Sequence, residues 1–148
     1  MIRTRYPRRD DRTILALIKR ELFPYALVAK PDLRWEPVEV KRRLNRDITF
    51  VAAPGRLKAV GFVSMQSSGS ELMLDMLAVD RNSQGRGLGS ALLQHSEKYG
   101  QSRGCRSIRL FVDDTNGKAR TFYKRHGYYE EAYYPSMRCF LMRKQLKA

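Results

Sequence analysis

The chain has 148 residues, 43 % of them hydrophobic, and its 29 Lys and Arg against 15 Asp and Glu give a formal net charge of +14. This composition excludes an intrinsically disordered chain, and the positive surplus favours anionic partners such as nucleic acids, phosphorylated cofactors or acidic substrates. The longest uncharged, mostly apolar stretch, Leu22 to Ala29, is too short for a membrane-spanning helix, and no secretory signal follows the N-terminus. We therefore expect a cytoplasmic protein without a membrane partner, folded as a single domain over residues 1–148.

Helical periodicity dominates the first third of the chain, after a short predicted strand at residues 2–6. Asp10 or Asp11 can cap a helix. The apolar residues that follow recur at helical spacing: Ile14, Leu17, Ile18 and Leu22. Pro24 ends or interrupts that helix, because proline lacks an amide donor. Residues 25–35 are expected to be irregular, and a short basic helix follows them.

From residue 48 the apolar period shortens to that of strands. Turn residues at Pro54-Gly55 and at 67–70 predict a three-stranded meander. One helix is expected after a glycine-rich segment and another after Asn116. The predicted strands are residues 48–53, 59–65, 71–79, 107–112, 128–134 and 138–144. This order of elements predicts an α/β or α+β fold in which helices pack on a mixed sheet.

The segment Gln84-Gly85-Arg86-Gly87-Leu88-Gly89 lies between the predicted strand that ends at Val79 and a helix. Its three glycines leave backbone amides bare at the start of the helix, where the helix dipole also favours negative charge. The pattern therefore predicts a phosphate or pyrophosphate site. The spacing is not that of a dinucleotide-binding fold, and the Gly-Lys-Ser/Thr of a P-loop is absent.

This segment resembles the acetyl-CoA-binding signature of the GCN5-related N-acetyltransferase (GNAT) superfamily, Arg/Gln-x-x-Gly-x-Gly/Ala. The sequence Leu77-Ala78-Val79-Asp80 before it also matches. A second block, residues 116–128, is similar to the other cofactor motif of that family: Asn, then Ala, then Tyr one turn on, then Gly-Tyr. The resemblance is specific from Leu72 to Tyr128, whereas the first 50 residues match only in the order of elements.

The resemblance implies a mixed, mostly antiparallel sheet with helices on both faces and two parallel strands in the middle that splay apart, helped by a bulge. Acetyl-CoA would lie in that gap, with its arm on the backbone of the first strand and its pyrophosphate on the amides of residues 84–89. The implied cofactor-binding residues are Leu77, Val79, Gln84, Gly85, Arg86, Gly87, Leu88, Gly89, Ser90, Asn116, Ala119 and Tyr123.

The implied reaction is direct transfer of the acetyl group to a primary amine, of a small molecule or a protein, in a ternary complex. Tyr123 stands where the family carries the acid that protonates the departing thiolate. The base is left open, because the two positions at which family members place it are Phe111 and Met73 here.

Acidic residues near those two positions are the remaining candidates for the base. Glu71 and Asp75 flank the second position, and a bulge would decide which of them points into the cleft. Asp113 and Asp114 follow the next strand and are further candidates.

The net charge favours an acceptor with acidic or neutral groups over a polyamine or an aminoglycoside, but an acidic lip around Glu71 and Asp75 would reverse that preference. The alternative function is that of a nucleic-acid or ribosome-associated binding protein on the same fold. Its basic footprint would be Arg3, Arg5, Arg8, Arg9, Arg12, Lys41, Arg42, Arg43 and Arg46. No metal site is expected, and monomer and homodimer are both open.

Overall fold

The computed structural model describes residues 1–55 and 58–147. Its strands are β1 (Ile2–Thr4), β2 (Ile48–Ala52), β3 (Gly61–Ser68), β4 (Glu71–Val79), β5 (Ser107–Asp113), β6 (Tyr129–Tyr134) and β7 (Cys139–Gln145). They form one sheet of seven strands in the order β1-β2-β3-β4-β5-β7-β6. Neighbouring strands are antiparallel except β4 and β5, which are parallel. The predicted mixed, mostly antiparallel sheet is confirmed.

The helices cover both faces of this sheet, as expected. They are α1 (Pro7–Leu17), α2 (Phe23–Ala29), α3 (Pro37–Arg46), α4 (Leu88–Ser102) and α5 (Gly117–Arg125). Apolar residues of α4 and α5 pack in one buried cluster against one face, and those of α1 and α3 pack in a second cluster against the other. Within the described ranges, no helix has both the length and the apolar character needed to cross a membrane.

The predicted cap of α1 is wrong in position. The N-cap is Tyr6, and Pro7 occupies the first turn, where a missing amide hydrogen does no harm. Asp10 reaches back from inside the helix, and its Oδ2 accepts the amide of Tyr6 at 2.7 Å. The aspartate therefore satisfies the helix start from one turn further along the chain.

The prediction of irregular structure over residues 25–35 is wrong for residues 25–29, because helix continues to Ala29, and is confirmed for residues 30–35. One π turn, Ile18–Leu22, joins α1 to α2, and the amide of Phe23 bonds the carbonyl of Ile18 five residues back. Pro24 then lies in the first turn of α2, where it needs no intrahelical donor. The widened turn lets the chain pass a proline without leaving the helix.

The strand predicted at residues 71–79 has the observed bounds of β4, and the ends of the other strands differ from the prediction by at most three residues. The largest difference is in β3, which extends through Ser67 and Ser68 to pair with Leu72 and Glu71. Only residues 69–70 remain for the turn, and Gly69 adopts a φ of +62° there. A two-residue hairpin turn needs such positive φ values, so the glycine marks the turn itself.

Candidate active site

The parallel pair β4–β5 is hydrogen-bonded only at its beginning. Its register covers three pairs, Glu71–Ser107, Leu72–Ile108 and Met73–Arg109. Beyond them β5 stays paired with β7, while β4 turns away and leaves its edge towards β5 free. The strands therefore diverge into a wedge, as the resemblance implied.

A bulge in β4 accompanies this divergence. Met65 of β3 pairs with Leu74, but the preceding Ser64 pairs with Met76, so Asp75 is the extra residue. A single inserted residue bends the strand and reverses which side chains face each side of the sheet. Before the bulge Leu72 and Leu74 pack towards α4, whereas after it Leu77 and Val79 do so.

Two cavities meet at the wedge. The larger, about 520 Å³, lies between the glycine-rich loop and α5. The smaller, about 380 Å³, lies between the end of β5 and the helices α2 and α3. The residues that line both are Leu22, Leu77, Asn116, Ala119 and Tyr123. The gap between the strands is thus the place where ligands from opposite sides can touch.

The glycine-rich loop forms the end of the larger cavity. Gly85 and Gly87 have φ values of +82° and +79°, and a Cβ at either position would meet nothing within 4 Å. Gly87 is the N-cap of α4, so no side chain caps the first amides of that helix. These amides can bind an anion. The open backbone and the bare amides fit a pyrophosphate.

Side chains from three segments surround this loop. The side-chain amide of Gln84 donates to the carbonyl of Val79 at 2.9 Å, and Lys118 Nζ donates to Gln84 Oε1 at 2.5 Å. Lys118 and Arg81 line the larger cavity, and sequence reasoning missed Lys118. The sequence feature that could have identified Lys118 is a positive charge at the second position of the helix that follows Asn116. Arg86, although predicted, is exposed and lies outside the lining.

The remaining predicted cofactor residues belong to the same cavity. Asn116 caps α5, its Oδ1 accepting the amide of Ala119 at 3.2 Å. A Cβ on Gly89 would lie 3.4 Å from the ring of Phe122, so this glycine allows α4 and α5 to approach closely. The residues of the predicted set that line the larger cavity are Leu77, Val79, Gln84, Gly85, Gly87, Leu88, Gly89, Ser90, Asn116, Ala119 and Tyr123.

Tyr123 comes from α5 and reaches the gap from the α4–α5 side of the sheet. Only 6 % of the residue is exposed, and its ring packs edge-on against Phe122 and Tyr128 at centroid distances of 5.2 and 5.6 Å. Burial raises the pKa of the Tyr123 phenol well above its usual value. The hydroxyl therefore keeps its proton at neutral pH.

Asp75 and Glu71, the predicted bases, lie in different places. Asp75 lines the smaller cavity, but its carboxylate accepts hydrogen bonds from Arg43 at 2.6 Å and Arg46 at 3.5 Å. Although burial acts to raise it, the pKa of Asp75 is lowered by hydrogen bonds with Asp47 and Arg43. A carboxylate held in this way is a weak proton acceptor.

Glu71 is at the opposite, paired end of β4. It accepts a hydrogen bond from Ser107 at 3.0 Å, forms ion pairs with Arg109 and Arg143, and lines neither cavity. The structure therefore does not bring Glu71 together with Tyr123, and its role as a base stays a prediction.

Asp113, one of the further candidates, lines the smaller cavity. Burial raises the pKa of its carboxyl, and the neighbouring charge of Asp114 adds to the rise. Asp114 itself accepts hydrogen bonds from Tyr133 at 2.7 Å and from Arg138 at 3.1 Å. The two adjacent aspartates thus differ in their partners. Asp114 forms an ion pair with Arg138, whereas Asp113 has no ion pair with any residue of the described ranges.

The wall of the smaller cavity does not carry the positive charge of the whole chain. Its charged residues are Arg34, Arg43, Glu36, Glu39, Asp75 and Asp113. Carboxylates outnumber guanidinium groups in this set, so the net charge of +14 does not describe the field that a ligand meets here. The preference for acidic acceptors, which rested on net charge, loses its basis at this site.

Arginines of the proposed nucleic-acid footprint take part in internal ion pairs. Arg3 binds Asp10 at 2.8 Å, and Arg5 binds Asp11 at 2.6 Å. Both aspartates are buried. These two guanidinium groups therefore stabilise the junction of β1 and α1 and are not free to meet a phosphate backbone.

Comparison with known proteins points to one family and one fold. A sequence model described as the acetyltransferase (GNAT) family matches residues 14–128. The structure superposes on the ribosomal-protein-S18-alanine N-acetyltransferase from Escherichia coli with a TM-score of 0.77 at 23 % identity, over 100 % of this chain and 94 % of that one. Ard1 from Thermoplasma volcanium gives 0.77 at 22 % identity, over 100 % and 98 %.

A third similar structure contains a ligand. The PaiA N-acetyltransferase from Thermoplasma acidophilum, in complex with coenzyme A, has a TM-score of 0.78 at 18 % identity, over 98 % of this chain and 99 % of that one. At such identities these likenesses establish a shared fold.

Proposed function

This chain belongs to the acetyltransferase (GNAT) family, and we propose that it transfers the acetyl group of acetyl-CoA to a primary amine by direct attack in a ternary complex. The observation that carries the proposal is the meeting of two cavities at Tyr123, in the gap between β4 and β5. Two substrates that enter from opposite sides can react there without a covalent enzyme intermediate. The names of the similar structures, which include N-acetyltransferases, support an amine acceptor.

The larger cavity is the proposed site for acetyl-CoA. The amides of the loop at residues 84–89 would hold the pyrophosphate, and Lys118 and Arg81 would add positive charge beside it. The free edge of β4 offers the backbone of Leu77 and the amide of Val79 to the pantetheine arm, since the carbonyl of Val79 already accepts Gln84. When bound, acetyl-CoA supplies an acetyl group already activated as a thioester.

Tyr123 is the proposed acid. Its neutral phenol lies where the two cavities join and can donate a proton to sulfur as the thiolate departs. Asn116 caps α5 and so fixes the helix that carries Tyr123. The smaller cavity then takes the acceptor amine.

Calorimetry with CoA tests the cofactor site, with adenosine 3′-phosphate 5′-diphosphate as the matched control ligand, which keeps the pyrophosphate and lacks the pantetheine arm. We expect CoA to bind at least about tenfold more tightly, because the arm adds buried apolar surface in the wedge. Thiol release from acetyl-CoA in the presence of primary amines tests the transfer. Absence of heat with CoA would overturn the proposal, and so would thiol release that does not depend on the amine.

A further inference from the structure

Asp113 lies at the end of β5, in the wall of the smaller cavity. We propose that Asp113 binds the ammonium group of the acceptor and takes its proton, and that the acceptor is a primary amine carried on an apolar group. This inference rests on the proposed function, since it assigns the second substrate of the same site.

The strand places Asp113 on the correct side of the sheet. Ile108, Leu110 and Val112 are buried in the cluster under α4 and α5. Because side chains alternate along a strand, Phe111 and Asp113 face the opposite side, where α2 and α3 enclose the smaller cavity. Phe111 offers no proton acceptor on this face, and the next residue on the same face, Asp113, is a carboxylate about 7 Å further along the strand.

The other carboxylates of this wall are less suited to the role. Asp75 is held by Arg43 and Arg46, and Glu39 is paired with Arg42. Glu36 is exposed. Asp113 is partly buried and forms no ion pair with any residue of 1–55 and 58–147, so its charge is available for a ligand. A buried carboxylate without a partner attracts a cation more strongly than a solvated one.

The apolar part of the acceptor follows from the rest of the wall. The apolar residues that enclose the cavity are Leu22, Phe23, Leu33, Trp35 and Phe111. Trp35 packs edge-on against Phe23 at 5.4 Å, which fixes an aromatic surface opposite β5. An amine whose carbon chain or ring contacts this surface while its ammonium reaches Asp113 would satisfy both features. A phosphorylated or polyanionic acceptor would be repelled by the carboxylates that line this cavity.

The proton balance of the transfer assigns a task to each of two residues. The ammonium gives one proton to the Asp113 carboxylate, and the freed lone pair of nitrogen forms the C–N bond with the acetyl carbon. The C–S bond then breaks with its electron pair on sulfur, and Tyr123 gives that sulfur a proton. The nitrogen loses its second proton, which restores the Tyr123 phenol through solvent. Asp113 releases its proton to solvent, so one proton is produced per turnover.

Titratable and charged groups from the neighbouring elements lie around Asp113, and of these Asp114 raises its pKa. Asp114 follows it in the chain, and Cys139 is its partner on β7. Across the cavity are Arg34, Glu36, Glu39, Arg43, Asp75 and Tyr123. Of these, Asp75 interacts with Asp47, and burial of Asp47 together with this interaction raises the pKa of Asp47 to about 6. The residue that causes an acidic limb of the pH–activity profile must therefore be identified by substitution, because the midpoint of the limb does not distinguish Asp113 from Asp47.

The test uses the full-length protein with acetyl-CoA and phenethylamine, an amine on an apolar aromatic group. We expect Asp113→Asn to lower kcat/KM by about 10²–10⁴-fold and to remove the acidic limb of its pH profile. Asp114→Asn is the matched neighbour. It should keep the limb and move it to lower pH, because the charge of Asp114 raises the pKa of Asp113. A limb that is unchanged in Asp113→Asn would overturn the proposal.

A binding measurement gives a readout that does not depend on turnover. Calorimetric titration of phenethylamine into the CoA complex should show at least about tenfold weaker binding for Asp113→Asn than for wild type, with CoA affinity unchanged. Equal phenethylamine affinities would contradict the inference, as would a wild type that binds CoA but neither binds nor acetylates phenethylamine. A wild type that binds no CoA would instead contradict the proposed function.

Discussion

The side-chain amide of Gln84 donates a hydrogen bond to the backbone carbonyl of Val79, 2.9 Å away. This contact joins the glycine-rich loop to the last residue of β4. The same side chain accepts a hydrogen bond from Lys118 at the start of α5. One residue thus connects the strand, the loop and the second helix that together form the proposed pyrophosphate site.

We predict that Gln84→Ala weakens CoA binding roughly three- to tenfold, the effect of losing about one net hydrogen bond that orders the loop. Calorimetry with CoA measures it. Gln101→Ala is the matched control, because Gln101 also donates to a backbone carbonyl, that of Lys147, at the far end of α4. If the two substitutions weakened CoA binding equally, the loop would not depend on this contact.

Tyr123→Phe removes only the proposed proton donor. We predict that kcat falls by about 10²–10⁴-fold while CoA affinity stays unchanged, because the ring still packs against Phe122 and Tyr128. Steady-state kinetics and calorimetry measure the two quantities. A kcat equal to that of wild type across the pH range would show that another group protonates the thiolate.

Tyr128→Phe is the control for this substitution, because it removes a second buried phenol from the same cluster. The hydroxyl of Tyr128 donates to Glu97 at 2.7 Å on the side away from the cavities. We expect this variant to keep kcat and to lose about 1.5–3 kcal/mol of unfolding free energy, the usual contribution of a hydrogen bond to a charged group.

Features that depend on local pattern could be predicted from the sequence. The alternation of residues 107–112 and the glycines of residues 84–89 report short-range geometry, and the structure has a strand and a loop in those places. The passage through Pro24 could not be predicted, because it depends on a π turn whose hydrogen bonds reach five residues back. A proline signal alone does not distinguish a helix end from a helix restart.

The choice among acidic residues also needed the three-dimensional structure. Arg43 and Arg46 are about 30 residues from Asp75 in the chain, yet both donate hydrogen bonds to its carboxylate. Asp113 has no such partner within the described ranges, and nothing in its neighbouring sequence indicates this. Long-range ion pairs decide which carboxylate is available, and they leave no periodic pattern in the sequence.

The role of Arg5, which forms an ion pair with Asp11, distinguishes the proposed enzyme from the alternative of a nucleic-acid-binding protein. The two side chains are only 9 % and 7 % exposed. Removing one partner of such a pair leaves a buried charge, so Arg5→Ala should lower the unfolding free energy by about 3 kcal/mol. Urea denaturation measures this change.

Arg12→Ala is the matched control, since Arg12 is exposed on α1, the helix that carries Asp11, and its effect should stay within about 0.5 kcal/mol. If Arg5→Ala left stability unchanged but weakened a salt-dependent affinity for RNA, the arginine would belong to a nucleic-acid surface instead.

Asp47 makes the stability of the fold depend on pH. Burial and the neighbouring Asp75 raise its pKa to about 6, above the 3.8 of an unperturbed aspartate. The folded state therefore binds this proton more tightly than the unfolded state, so the contribution of Asp47 is fully present below about pH 4 and is lost as the pH rises through 6. Asp47→Asn removes that loss, and its amide can still accept the hydrogen bond from Gln66.

We predict that Asp47→Asn is more stable than wild type by about 1–3 kcal/mol at pH 8 but by only about 0.5 kcal/mol near pH 4, where the folded carboxyl is protonated and the unfolded one is about half protonated. The lowered pKa of Asp75, which acts in the opposite direction, keeps the difference below the full value for Asp47 alone. Urea denaturation at both pH values measures it, with the exposed Asp32→Asn as control. The same stability difference at pH 4 and pH 8 would mean that the substitution acts through packing, because only a shifted titration makes the effect depend on pH.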